Sequence, residues 1–122
     1  MKNMLNWCEI PVTDIERAKK FYETIFACSM QAMDFGGLKM AMFPMDEGKV
    51  SGALCEGPDY TPSQDGAIIY LNANPDLAEV EARIEAAGGK VILPKRQISP
   101  DYGYMALFTD SEGNRMALHS NK

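Results

Sequence analysis

Apolar and polar residues alternate from Met4 to Ile10, a period of two that predicts a strand. One face carries Met4, Asn6, Cys8 and Ile10; the other carries Leu5, Trp7 and Glu9. Pro11 lacks a backbone donor and ends the regular ladder. At Asp14, a good helix N-cap, the period changes. Ile15, Ala18, Phe21, Tyr22, Ile25 and Phe26 then recur at helical spacing, while Glu16, Lys19, Lys20 and Glu23 lie outward. Such a helix covers the Cys8 and Ile10 face of the strand. Leu5, Trp7 and Glu9 are left on the opposite, concave face.

After Ala27 the pattern returns to strands. Ser29 to Phe35 and Leu38 to Pro44 flank Gly36-Gly37, a hairpin signal, and Lys49 to Cys55 follows a second turn. Residues 57–66 collect Gly57, Pro58, Pro62, Ser63 and Asp65 and have linker composition. A second unit opens at Ala67. Ala67, Ile69, Leu71 and Ala73 form an apolar strand face, and Ile68, Tyr70 and Asn72 a mixed one. Asn74 or Asp76 caps a helix with Leu77, Val80, Ala82, Ile84 and Ala87 on its apolar side, ended by Gly88-Gly89. Lys90 to Gln97 is interrupted by Pro94, which predicts an edge or bulged strand. Tyr104 to Thr109 and Asn114 to Ser120 form a closing hairpin.

The order is strand, helix, three strands, twice over. This predicts an α+β fold of two βαβββ modules within a single domain, 1–122. The modules fall at 4–56 and 67–120 around a linker at 57–66, with curved mixed sheets enclosing a cleft and the two first strands placed to meet.

Composition narrows the function. The formal net charge of −5 and pI of about 4.8 argue against a nucleic-acid surface or an anionic membrane surface. No apolar run approaches the roughly 18 residues of a membrane span. No signal peptide is expected ahead of the first strand. The 3 cysteines include no CxxC pair, so a structural zinc site is not expected and a reduced, cytoplasmic protein is. Met30, Met33, Met40, Met42 and Met45 crowd one region, where flexible thioethers fill irregular apolar space in a core or a ligand pocket. A homodimer would help so small a domain bury apolar surface.

Several segments together carry a family resemblance. They are Glu9-Ile10-Pro11; Asp14 with Ala18, Phe21-Tyr22 and Phe26; Ala87-Gly88-Gly89-Lys90-Val91 with Pro94-Lys95; and the closing run from Gly103 to Asn114. In this order the chain resembles the vicinal oxygen chelate superfamily of glyoxalase I, bleomycin- and fosfomycin-resistance proteins and extradiol dioxygenases. The resemblance implies paired βαβββ modules around a cleft, frequently in homodimers. In catalytic members it implies a divalent metal held by the first strand of each module and by a last-strand carboxylate. Here those positions fall on Trp7, on Ile68 or Ile69, and on Ala117. None offers a ligand atom, so no metal cofactor is expected at that place.

What remains for chemistry is Glu9 and His119. Glu9 falls on the inner face of what reads as a central strand, where a carboxylate is costly unless paired or reached by water; it is either a general base or ligand acceptor, or a carboxylate satisfied by a tyrosine, a backbone amide or water. His119, the single histidine, is either a proton shuttle or displaced metal ligand, or is bonded to backbone or solvent. Trp7, Glu9, Met40, Met42, Tyr70 and Tyr104 are the expected ligand-binding lining. Two functions stand open. One is metal-free binding of a small, planar or partly apolar molecule. The other is an enzyme, either a lyase or isomerase with Glu9 as base or a dioxygenase-like protein with relocated ligands Glu9 and His119. A cleft filled by its own side chains is a third possibility.

Overall fold

The computed structural model describes residues 3–122. Strand β1 (Trp7–Pro11) leads into helix α1 (Ile15–Phe26), then β2 (Gln31–Phe35), β3 (Leu38–Met42) and β4 (Ser51–Glu56). The second module runs β5 (Tyr70–Asn72), α2 (Leu77–Ala87), β6 (Lys90–Ser99), β7 (Gly103–Thr109) and β8 (Arg115–Ser120). Each module forms one four-stranded mixed sheet, in the orders β1-β4-β3-β2 and β5-β8-β7-β6. The fold is α+β, with two βαβββ modules.

Local chemistry sets the element ends. The Asp14 side chain accepts from Arg17 N at 3.1 Å and caps α1. Asp76, rather than Asn74, caps α2 by accepting from Ala78 N at 2.9 Å. Gly88 closes α2 in a left-handed conformation, φ 114°. Ala27 takes the same role after α1 at φ 52°, where a Cβ is unfavourable. β6 is an edge strand, and its register shifts between Leu93 and Arg96, across Pro94.

Two strand expectations are corrected. β1 begins at Trp7 and extends through Pro11, because its parallel partner β4 begins opposite Trp7 at Ser51 and still faces Pro11 at Cys55. An edge strand tolerates proline where no donor is needed. In addition, β1 and β5 do not pair with one another; each pairs only with the last strand of its own module. The modules join through their helices instead. Phe21 of α1 packs beside Phe108 of β7, with ring centroids 6.3 Å apart. Arg83 Nη1 of α2 donates to the carbonyl of Ile25 at 2.9 Å. One core runs across this junction, from Ile10, Tyr22 and Leu54 to Ile84, Phe108 and Leu118.

Polar groups reinforce the junction at the turn between β7 and β8. Buried Asp110 accepts from the Tyr22 hydroxyl at 2.7 Å, and burial, then the Asp110 charge, pushes that phenol well above its ordinary range. Asn114 Nδ2 donates to the Pro11 carbonyl at 2.7 Å, and its Oδ1 accepts from Ser63 N at 3.0 Å. The β7–β8 turn of one module thus holds the first strand of the other and the linker together.

Candidate functional site

Because β-strand side chains alternate, each sheet has a helix-covered face and an open face. On the first sheet Ile10, Ala41 and Leu54 point into the core under the helices. Met40, Ala53 and Cys55 form a separate cluster on the open face, with Trp7, Leu38, Met42 and Tyr60 packed against it. Trp7, Met40 and Met42 are thereby brought together. Glu9 stands opposite Ala53 in the ladder, on this same open face.

Glu9 is exposed, contrary to a position on a central strand: β1 lies at the edge of its sheet. Its Oε1 accepts from the Tyr60 hydroxyl at 2.6 Å. That hydrogen bond pushes the Tyr60 phenol up to about 12, because ionisation would set two anions side by side. Cys55 lies beneath the pair. Burial first, and then the Glu9 charge, pushes its thiol up to about 11, so it is a neutral, poorly nucleophilic group. Cys8, Cys28 and Cys55 are all free.

The other expected residues lie on the second sheet. Tyr70 is on its open face, 51% exposed, opposite Ala117. His119 shares that face, but its Nε2 sits 2.6 Å from the Tyr102 carbonyl, which makes Nε2 the donor and leaves Nδ1 free of that contact. Tyr104 does not face the cleft. It shares the parity of Ala106 and Phe108, packs against the helix-covered core, and lies under Lys95 Nζ at 4.8 Å from its ring centroid. Lys95 itself is engaged with Asp76 at 2.8 Å.

Two residues not singled out by the sequence complete the site. Tyr60 sits in the linker, whose composition conceals any period. Arg115 follows the β7–β8 turn and lines a crevice of about 190 Å3 between the modules, with Glu9, Thr61, Asp65 and Asn114. A larger hollow of about 330 Å3 lies elsewhere, beside Ile15, Met33, Asp34 and Lys39, and of the expected residues reaches only Met40.

The residues present do not fit the divalent metal that the resemblance implies. Trp7 and Ala117 offer no donor. Ile69 packs into the core and leaves Ile68 facing outward, equally without a ligand atom. Among the described residues no three His, Cys, Asp or Glu side chains converge.

Comparison with known proteins agrees with this architecture. Residues 4–118 match the family model of the glyoxalase/bleomycin resistance protein/dioxygenase superfamily. A glyoxylase-like domain-containing protein from Didymella fabae is 32% identical over 123 residues, covering 97% of this chain and 94% of that protein. A variant of glyoxalase I from Zea mays superposes with TM-score 0.75 at 23% identity, over 96% of this chain but only 46% of the maize chain. The fosfomycin resistance protein FosX from Listeria monocytogenes, in a form complexed with Mn(II) and 1S,2S-dihydroxypropylphosphonic acid, gives TM-score 0.69 at 19% identity. It covers 100% of this chain and 94% of that one. These structural likenesses establish the fold; the family model and the 32% identical relative establish descent. The chain belongs to the glyoxalase/bleomycin resistance protein/dioxygenase superfamily.

Proposed function

We propose that the open face of the first sheet binds a small, planar or partly apolar molecule, without a metal at the family's usual position. Trp7, Met40 and Met42 supply the apolar wall, and Glu9 supplies the polar contact. The Glu9–Tyr60 pair carries this reading. Tyr60 satisfies one oxygen of Glu9 at 2.6 Å, and the exposed carboxylate stands on the same face as the Trp7, Met40 and Met42 wall. A ligand site needs an apolar wall with a few convergent polar groups. Tyr60 engages Oε1 of Glu9, and the carboxylate is exposed and open to a donor on the ligand.

A second copy of this chain is the fitting cover for the open faces. Phe35, Tyr70 and Ile92 stand on them 59%, 51% and 46% exposed, and the two sheets of one chain do not pair. Light scattering of the purified protein reads this directly, and a monomer at all concentrations refutes it. No helix among the described residues is long and apolar enough to cross a membrane.

Trp7 is the single tryptophan, so intrinsic fluorescence reports on the wall alone. Planar and partly apolar compounds should change its emission and raise the melting temperature. A broad screen that moves neither refutes the proposal. The alternative reading, a lyase or isomerase with Glu9 as general base, draws on the exposed Glu9 carboxylate. It requires that Glu9→Gln abolish turnover while Trp7 still reports binding.

A further inference from the structure

Arg115 opens β8 directly after the turn that joins the modules. Its backbone N–H donates to the Ser63 carbonyl at 3.3 Å, and its Nη2 donates to the Gly66 carbonyl at 2.9 Å. The linker therefore fixes the guanidinium in place. Its Nε is buried and has no hydrogen-bond partner. The ion pairs among the described residues are Arg17–Glu112, Lys19–Glu23 and Lys95–Asp76, and none includes Arg115. A guanidinium has five donors and does not lose its charge at any accessible pH. Native structures rarely leave such a buried donor uncompensated.

The same guanidinium borders a crevice between the modules. Its volume of about 190 Å3 is that of roughly six waters, at about 30 Å3 each. Glu9 and Asp65 line it as well, and neither is ion-paired with Arg115. One cation and two carboxylates are thus held apart around a small space. A simple anion entering it meets repulsion from Glu9 and Asp65, and a simple cation meets repulsion from Arg115. A molecule bearing both charges a short distance apart satisfies both ends. With Nη2 engaged by Gly66 and Nε buried, the Nη1 end of the Arg115 guanidinium is the donor left for a carboxylate. We infer that this crevice binds a small zwitterion of the amino-acid class, its carboxylate on Arg115 and its ammonium toward Glu9 and Asp65. The assignment rests on Glu9 as a ligand contact and extends that site into the second module.

The test is nitrogen-15 NMR of the whole chain, following the Arg115 Nε–H resonance, with leucine as probe. Isocaproate and isoamylamine are the matched single-charge controls. Leucine should shift this resonance and slow its exchange with solvent, and each control should bind at least about tenfold more weakly. Arg115→Lys, which keeps the charge but removes Nε and the fork, should lose about tenfold or more in leucine affinity. Should that variant fail to fold, the wild-type resonance decides alone. A resonance unmoved by all three probes, equal binding of all three, or contact of Nε–H only with a long-lived water overturns the assignment. Trp7 fluorescence in the same titrations separates the two proposals. A responsive Trp7 with a still Arg115 resonance sinks the zwitterion site only. A moving Arg115 with a silent Trp7 sinks the apolar-wall assignment only.

Discussion

Replacing Glu112 by Gln should weaken the junction between the modules in a pH-dependent way. The Glu112 side chain is fully shielded, at 0% exposure. Its Oε1 accepts from Thr13 N and Thr13 Oγ1 at 3.0 Å, from Asp14 N at 2.9 Å and from Arg17 Nη2 at 2.9 Å. Its Oε2 accepts from Arg17 Nε at 2.7 Å and from Ser111 Oγ at 2.9 Å. Burial raises the carboxyl, but the Arg17 and Asp14 hydrogen bonds outweigh it and bring the group from 4.5 down to about 2. The folded state therefore favours the charged form. This stabilisation is complete above about 4.5 and is lost as the pH falls through about 2. At about 1.4 kcal/mol per unit, the difference between 4.5 and about 2 corresponds to about 3 kcal/mol. Arg17 is 54% exposed and solvent screens the pair, so the expected contribution is about 2 kcal/mol. Urea unfolding of both proteins at pH values between about 7 and about 3 measures it. The gap between wild type and Glu112→Gln should be about 2 kcal/mol at neutral pH and should shrink as the solution is acidified. Parallel loss of stability in the two proteins across that window would refute the reasoning.

Three further outcomes are expected. In a phenolate absorbance titration Tyr60 should ionise near 12, and Glu9→Gln should return it toward the ordinary tyrosine range; an unmoved titration denies the pair. Gly89→Ala would place a Cβ 2.6 Å from the Thr109 carbonyl oxygen and 2.8 Å from Phe21 Cε1. Backbone cannot yield there as a side chain tip can, so denaturant unfolding should show a loss of about 2 to 3 kcal/mol. Ala27→Gly relieves the left-handed strain at φ 52° and should raise stability by about 1 kcal/mol in the same assay.

The modules were legible because each strand and helix carries its own period, and that same parity assembled most of the site. Trp7 and Glu9 share one face of β1, and Met40 and Met42 share the same sheet face on β3, with β4 between them. Tyr104 was equally legible: alternation with Ala106 and Phe108 puts it under the helix, so placing it in the cleft was an error of parity. Other features have no local signal. Whether β1 is central or at an edge depends on which strand it pairs with, and periodicity is silent on partners. This is why Glu9 was expected to be costly and is instead exposed. Tyr60 belongs to a segment with no period at all. Its position follows from where the linker must cross between two sheets.

That crossing gives the turn at Asp110–Asn114 a larger part than a hairpin usually has. Asn114 holds the Pro11 carbonyl, two residues from Glu9, and also holds Ser63 of the linker. The next residue, Arg115, grips the linker at Gly66. The polar groups of the crevice therefore come from three segments that the same few hydrogen bonds keep in place. Glu112 ties this turn to the start of α1 without lining the crevice itself. A change at Glu112 should consequently reach the ligand site through position rather than contact. Glu112→Gln is expected to weaken leucine binding less than Arg115→Lys does, while broadening the Arg115 Nε–H resonance as the linker loses its fixed register. If Glu112→Gln costs stability but leaves that resonance sharp and the affinity unchanged, the junction and the crevice are independent. The site would then be positioned by the sheets alone.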